Sequence, residues 1–338
     1  MTRRLLLTGL LAITAAAWDQ EYDLVIRATT DEAEAAELLA GFRALHPGSA
    51  LSYAKVNSSR LYDEFVTEAA SEQGTVDIIW SSAMDLQMKL VNDGYAARYA
   101  SPEAEGLPPW AVWRNEAYGV TAEPTAIAYN RKLLPPALVP RTHADLVRLL
   151  AQHPEVWKGK VAAYDPERSG VGFLFLTQDL EVTPRTWEIV RAMGQIGVKL
   201  YTTTDTMLDR LASGDALLAY NVFGAYALER AKKDDSLGVV LPADYTLLNS
   251  RIAFIPKQAR HPEMARLFID YMLSREGQRR LAARSVTPSR QDARAPDDPV
   301  ANAPSLRPIA VGPELLTYLD QIKRARVLRE WRRMIEGR

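Results

Sequence analysis

The chain of 338 residues contains no cysteine and four histidines. The lack of thiols excludes disulfides, a thiolate nucleophile, cysteine-ligated zinc or iron–sulfur sites and a bacterial lipid anchor on cysteine. The histidines, His46, His143, His153 and His261, stand beside prolines or at expected loop and helix-end positions, which reads as surface rather than catalysis. An excess of charge of one sign is also missing. With 41 basic and 42 acidic residues the net charge is −1, without the basic surface of a nucleic-acid binder. No G-x-S-x-G elbow, H-E-x-x-H helix or G-x-x-x-x-G-K-[ST] phosphate loop occurs, so the commonest hydrolase and nucleotide chemistries have no anchor. Neither an enzyme activity, nor a cofactor, nor a nucleic-acid partner is expected.

What is present suits an exported globular protein. Hydrophobic residues make up 47% and charged ones 25%, ordinary values for a folded chain, and the length exceeds that of a typical single domain. Residues 1–17, MTRRLLLTGLLAITAAA, read as a cleavable secretion signal. Arg3 and Arg4 form the basic start, Leu5 to Ala12 the apolar centre, and Ala15-Ala16-Ala17 the cleavage site. The apolar run is too short to cross a bilayer. A plain signal on a cysteine-free chain points to a Gram-negative periplasm.

Behind the signal, β-like runs alternate with amphipathic helical stretches. Residues 22–28 read as a strand, and Thr29 to Glu32 fits a capping box for a helix with Ala35, Leu38, Leu39, Phe42 and Leu45 on one face. Residues 50–56 form a second strand leading into Asn57-Ser58-Ser59, and residues 76–80 a third leading into Ser81-Ser82. Residues 118–129 read as extended chain interrupted by Glu123-Pro124, and residues 160–164 as a strand whose turn is Asp165-Pro-Glu-Arg-Ser-Gly-Val-Gly172. Residues 217–220 precede Asn221 and a helix over 225–231; residues 252–255 form another strand, 262–281 one long amphipathic helix, and 314–335 a closing helix with a solvated basic face. Each strand that empties into a hydroxyl-rich turn and a helix places free N–H groups and the positive end of a helix dipole at the carboxyl edge of a sheet.

Several segments, in order, resemble a known family: "ELLAGFRALHPG", "VDIIWSSAMDLQMKLVNDGYA", "AIAYNRKLL", "WKGKVAAYDPERSGVGFLF" and "LFIDYMLSREGQRRLAARSVTPSR". They look like an ABC-transporter periplasmic solute-binding protein of type II, in the branch of ferric-iron, sugar-phosphate and phosphonate binders. The resemblance spans nearly all of the chain after the signal. It implies an α/β fold of two lobes, a Venus flytrap joined by two hinge strands near Ala122 to Thr125 and Asn249 to Ile252. Lobe one would comprise residues 18–123 and 251–338, and lobe two residues 124–250. It further implies a monomer that passes a small solute to a membrane permease, or, loaded with ligand, signals to a membrane sensor kinase.

The resemblance leaves two cargoes open. Ferric binders of this branch hold the metal with phenolates, commonly a Tyr-Tyr pair after a lobe-two strand, where this chain has Phe223-Gly224. Only Tyr220 and Tyr226 remain as candidate iron ligands there, and a trivalent cation needs several anionic oxygens. The residues favour a small anion, such as a phosphorylated organic solute. Its candidate contacts are Thr29, Thr30, Ser58, Ser59, Ser81, Ser82, Asn221, and the turn formed by Arg168, Ser169, Gly170, Val171 and Gly172. Hydroxyls and backbone N–H groups at helix starts suit a phosphate or carboxylate, and Arg168 would add a charge-assisted fork. Asp31 and Asp165 read equally as helix caps or as acceptors for sugar hydroxyls.

Overall fold

The computed structural model describes residues 23–337 other than 72, 73, 285, 297, 299, 301, 302 and 304. The expected secretion signal lies outside the described residues. Thirteen strands are present among them: β1 (Leu24–Ala28), β2 (Leu51–Lys55), β3 (Ile78–Ser81), β4 (Val112–Trp113), β5 (Ala117–Gly119), β6 (Glu123–Asn130), β7 (Val161–Tyr164), β8 (Lys199–Tyr201), β9 (Leu218–Phe223), β10 (Leu237–Val240), β11 (Thr246–Asn249), β12 (Ile252–Phe254) and β13 (Leu306–Pro308). Twelve α-helices accompany them: α1 (Glu32–Leu45), α2 (Ser58–Ala69), α3 (Met84–Asn92), α4 (His143–Gln152), α5 (Pro154–Trp157), α6 (Gly170–Val182), α7 (Thr186–Gln195), α8 (Thr204–Ala212), α9 (Gly224–Ala231), α10 (Pro262–Leu273), α11 (Arg275–Ala282) and α12 (Gln321–Ile335).

The strands form two sheets, and so two lobes. The first runs in the order β2-β1-β3-β12-β5-β4, and the second β13-β11-β6-β9-β7-β8 with β10 also on β6. β1 lies parallel to β2 and β3, and β7 parallel to β8 and β9. Strands such as β3 and β9 are buried along their whole length, as expected where helices cover both faces of a sheet. The chain changes sheet between Gly119 and Glu123, between Asn249 and Ile252, and a third time between β12 and β13; the two short crossings form the hinge.

Three local expectations change. Thr29 does not cap α1; the cap position is Asp31, whose side chain makes no cap bond, and Thr29 is taken up by Ser82 instead. Leu45, expected on the buried face of that helix, is 62% exposed. The long helix expected over 262–281 breaks at Ser274, whose backbone is extended and whose Oγ accepts from Gly277 N at 3.1 Å. Gly277 permits the corner, because a Cβ there would sit 2.0 Å from the Tyr271 carbonyl.

The C-terminal part of the chain also departs from the expected lobe boundaries. β13 pairs with β11 in the second sheet, and α12 packs Val327, Trp331 and Met334 against Phe173, Leu176 and Val190 of lobe two. β13 and α12, expected with lobe one, therefore belong to lobe two, while Val311 between them still donates to the Trp110 carbonyl of lobe one. The reason lies in α6, which is apolar nearly all round and needs cover on the side facing away from the sheet. His143, expected at the surface, is buried. It stacks on Tyr245 with ring centroids 3.9 Å apart, and its Nδ1 lies 2.9 Å from Asp244. His261 holds the buried Asp77 at 3.1 Å.

Candidate functional site

The carboxyl ends of β1, β2, β3, β7, β8 and β9 face one another across a cavity of about 250 Å³ between the lobes. Six helices begin at or beside it: α1, α2 and α3 from lobe one, and α6, α8 and α9 from lobe two. The lobes are closed around it. A Cβ on Gly170 of lobe two would lie 3.2 Å from Ser58 Oγ and 3.4 Å from Leu86 of lobe one.

Of the residues expected to bind, the cavity gathers Thr29, Ser58, Ser82, Ser169 and Val171. Thr29 Oγ1 accepts from Ser82 N at 2.9 Å and lies 3.1 Å from Ser82 Oγ, which ties two strand ends together. Ser169 Oγ accepts from Gly172 N at 3.1 Å and donates to the Thr202 carbonyl at 3.3 Å. It is a helix cap and part of the cavity wall at once. Asn57 caps α2 by accepting from Ser59 N and also reaches the cavity.

The other expected residues point elsewhere. Thr30 is fully buried and accepts from Arg251 Nη1 at 2.9 Å. Ser81 is buried, with its Oγ accepting from Ala83 N. Ser59 and Gly170 face a neighbouring hollow beside Asp85 and Arg324, and Gly172 packs on Tyr164. Arg168 is exposed and outside the cavity. Asp165 accepts from Glu167 N at 2.9 Å and closes its own turn, whereas Asp31 reaches the cavity.

The two candidate iron ligands do not converge. Tyr220 and Asn221 both donate to the buried Asp179, at 2.9 and 2.6 Å, inside lobe two. Asn221 adopts a left-handed backbone (φ 54°) at the point where β9 bulges against β6, and this turns its side chain from the cavity to Asp179. Tyr226 lines the cavity but accepts from Arg251 Nη2 at 3.0 Å. Burial pushes its phenol well above the ordinary range, with Arg251 opposing.

Sequence reasoning missed much of the wall: Lys55, Tyr164, Thr202, Thr203, Thr204, Asp205 and Arg251. Thr202 to Asp205 follow the same strand-to-hydroxyl-turn-to-helix pattern as the turns found, but the strand before them is three residues long and left no clear signal. Arg251 had none. Its guanidinium sits in the hinge, 2% exposed, forked onto the fully buried Glu123 at 2.6 and 2.9 Å. Lys55 is ion-paired with Asp31. Both cavity cations are thus matched by carboxylates. Asp205 has its carboxyl raised above the usual range by burial and by Asp31 across the cleft.

Two lobes closing on an interlobe cavity at the carboxyl edges of their sheets are the architecture of the type II periplasmic solute-binding class. Residues 37–308 match the family of bacterial extracellular solute-binding proteins, and the chain belongs to that family. It is 36% identical to the substrate-binding protein of an ABC transporter from Agrobacterium tumefaciens, over 94% of this chain and 96% of that one, with a TM-score of 0.86. Two more distant structures share the fold. Iron-bound HitA from Pseudomonas aeruginosa is 20% identical, over 92% of this chain and 98% of that one, with a TM-score of 0.73. AfuA from Actinobacillus pleuropneumoniae, solved with fructose-6-phosphate, is 21% identical, over 93% and 98%, with a TM-score of 0.72. None of the curated protein sequences matches the chain.

Proposed function

We propose that the protein captures a small anionic solute, most simply a phosphorylated organic molecule, in the periplasm and delivers it to the permease of an ABC importer. The observation that carries this reading is the convergence of helix starts and neutral hydroxyls from both lobes on one closed cavity. The N–H groups of a helix start have no intrahelical partner, and the helix dipole favours an anion there. Because Lys55 and Arg251 are already paired, attraction comes from oriented dipoles, which bind an anion without desolvating a free cation. At about 250 Å³ the cavity is just under the ~300 Å³ at which drug-sized pockets begin, room for the anionic group of a small solute.

This fold carries both iron and a sugar phosphate among its structural neighbours, so the residues must decide. Ferric iron needs ionised oxygen ligands, and here Tyr226 is held by Arg251 while Tyr220 faces Asp179. Ligand contacts to both lobes would stabilise the closed form, which the permease recognises. A thermal-shift screen of the mature protein against phosphate esters, phosphonates and ferric citrate tests this. Stabilisation by a phosphorylated solute is expected, with no visible iron-to-phenolate band. Such a band, lost in Tyr226→Phe, would overturn the reading.

A further inference from the structure

The ligand cavity does not end at Tyr226 and Arg251. Beyond these two residues and Asp205, which all face both spaces, the groove continues into a lateral compartment of about 360 Å³. Lobe one supplies Glu34 from the first turn of α1 and Val286 beyond α11; lobe two supplies Leu208 and Ala225; the hinge supplies Glu123. The compartment is larger than the cavity it opens from, so a ligand confined to the latter would leave more than half of the closed groove to water.

Its polar walls are unevenly satisfied. Each cation there already holds a carboxylate: Arg251 holds Glu123, Arg230 holds Asp209, Lys233 holds Glu229, and Arg284 holds Glu37. Glu34 differs, for its Oε2 is shielded from solvent and has no hydrogen-bond partner. A shielded acceptor without a donor is costly, and the residue that carries it lines the compartment. Charges facing Glu34 are Arg251, Glu123, Asp31 and Asp205, three carboxylates to one guanidinium that is itself committed. At this wall an added cation is favoured over an added anion.

We propose that this compartment is the second half of the ligand site and receives a protonated amine at the far end of the solute, with Glu34 and Asp205 as acceptors. The solute is then two-ended, an anion on the helix starts and an ammonium group past Tyr226. The inference rests on the anionic-solute reading for the near end only. Burial pushes the Glu34 carboxyl up to about 8, against the pull of Arg251, so it is largely protonated at neutral pH. An incoming ammonium draws that proton off.

The test compares ω-aminoalkyl phosphates of increasing chain length with alkyl phosphates of the same length, by calorimetry on the mature protein. At the length that spans the groove, the amine is expected to tighten binding by about tenfold or more, the worth of one charge-assisted hydrogen bond. The gain should grow between about pH 7 and pH 8.5 while alkylamines stay protonated, with proton release that the plain phosphate does not show. Glu34→Gln should erase both the gain and its pH dependence. Ala33→Phe, which fills the compartment from its rim, should erase the gain even if Glu34→Gln folds poorly. Equal affinity within every pair, or a gain that survives both variants, overturns the inference and leaves the phosphate reading standing. Glu34-dependent binding of an α,ω-diaminoalkane without any phosphate binding keeps the compartment and overturns the anionic reading. Binding of neither overturns both.

Discussion

The hinge carries the most exposed physical commitment of the structure. Glu123 is fully buried and Arg251 is 2% exposed, with the guanidinium forked onto the carboxylate at 2.6 and 2.9 Å. Arg251 also reaches Thr30 of lobe one and Tyr226 of lobe two. Replacing Glu123 by Gln leaves the guanidinium in place, out of water and without its counter-charge. Breaking a buried pair in this way costs ~3–5 kcal/mol, and with side chains 2% and 0% exposed little screening softens it. At roughly 2–4 °C per kcal/mol for domains of this size, the variant should melt about 10 °C lower. Glu123→Gln/Arg251→Met, which removes both charges, should recover much of the loss, since an apolar replacement of the whole pair is often close to neutral. The assay is urea unfolding of the four proteins of the cycle, analysed for a coupling energy. A single variant costing less than ~1 kcal/mol, or a double variant no better than the sum of its singles, would refute the claim that the pair is desolvated and coupled.

Other outcomes follow from particular contacts. Gly170→Trp should place its ring where Ser58 and Leu86 stand in the closed form; small-angle scattering should then show lobes that stay apart on adding ligand, with the melting temperature of the ligand-free protein little changed. Trp331→Ala should cost about 3–5 kcal/mol, because this side chain is 6% exposed between α12 and α6, and partial proteolysis should then release the last helix from lobe two. Stability should fall as pH rises through about 8. Glu34 keeps its proton in the folded protein up to that pH but loses it near 4.5 when unfolded, so between these values the folded state binds the extra proton and each rise in pH favours unfolding. Melting of Glu34→Gln should lack this decline. Asp85, fully buried and pushed up to about 6 by burial, adds a decline of the same sign at lower pH. Tyr220→Phe should lower stability by about 1 kcal/mol for one lost hydrogen bond to Asp179 and leave solute affinity unchanged; a lost affinity would move Tyr220 into the site.

Much of the framework was written locally in the sequence. The runs around Ile26, Ile79 and Ala162 have the β-rich composition of buried strands, and Asn57 and Ser169 mark helix starts through the chemistry of capping, which acts over three or four residues. The hinge positions were legible through a resemblance carried by whole segments. What only the tertiary structure decided depends on pairings far apart in the chain. Arg251 looked like any polar residue between two strands, and its partner Glu123 lies 128 residues away. The last helix read as amphipathic, but no local signal tells which lobe its Trp331 face will cover; α6, apolar on both sides, settles that by needing a second cover. The capping chemistry that marked Thr30, Ser81 and Asn221 as candidates could not say where their side chains point. A bulge at Asn221 and the reach of Arg251 turn two of them away from the cavity. Spacing along the chain names the helix starts, but only the closing of two lobes selects which of their side chains share one space.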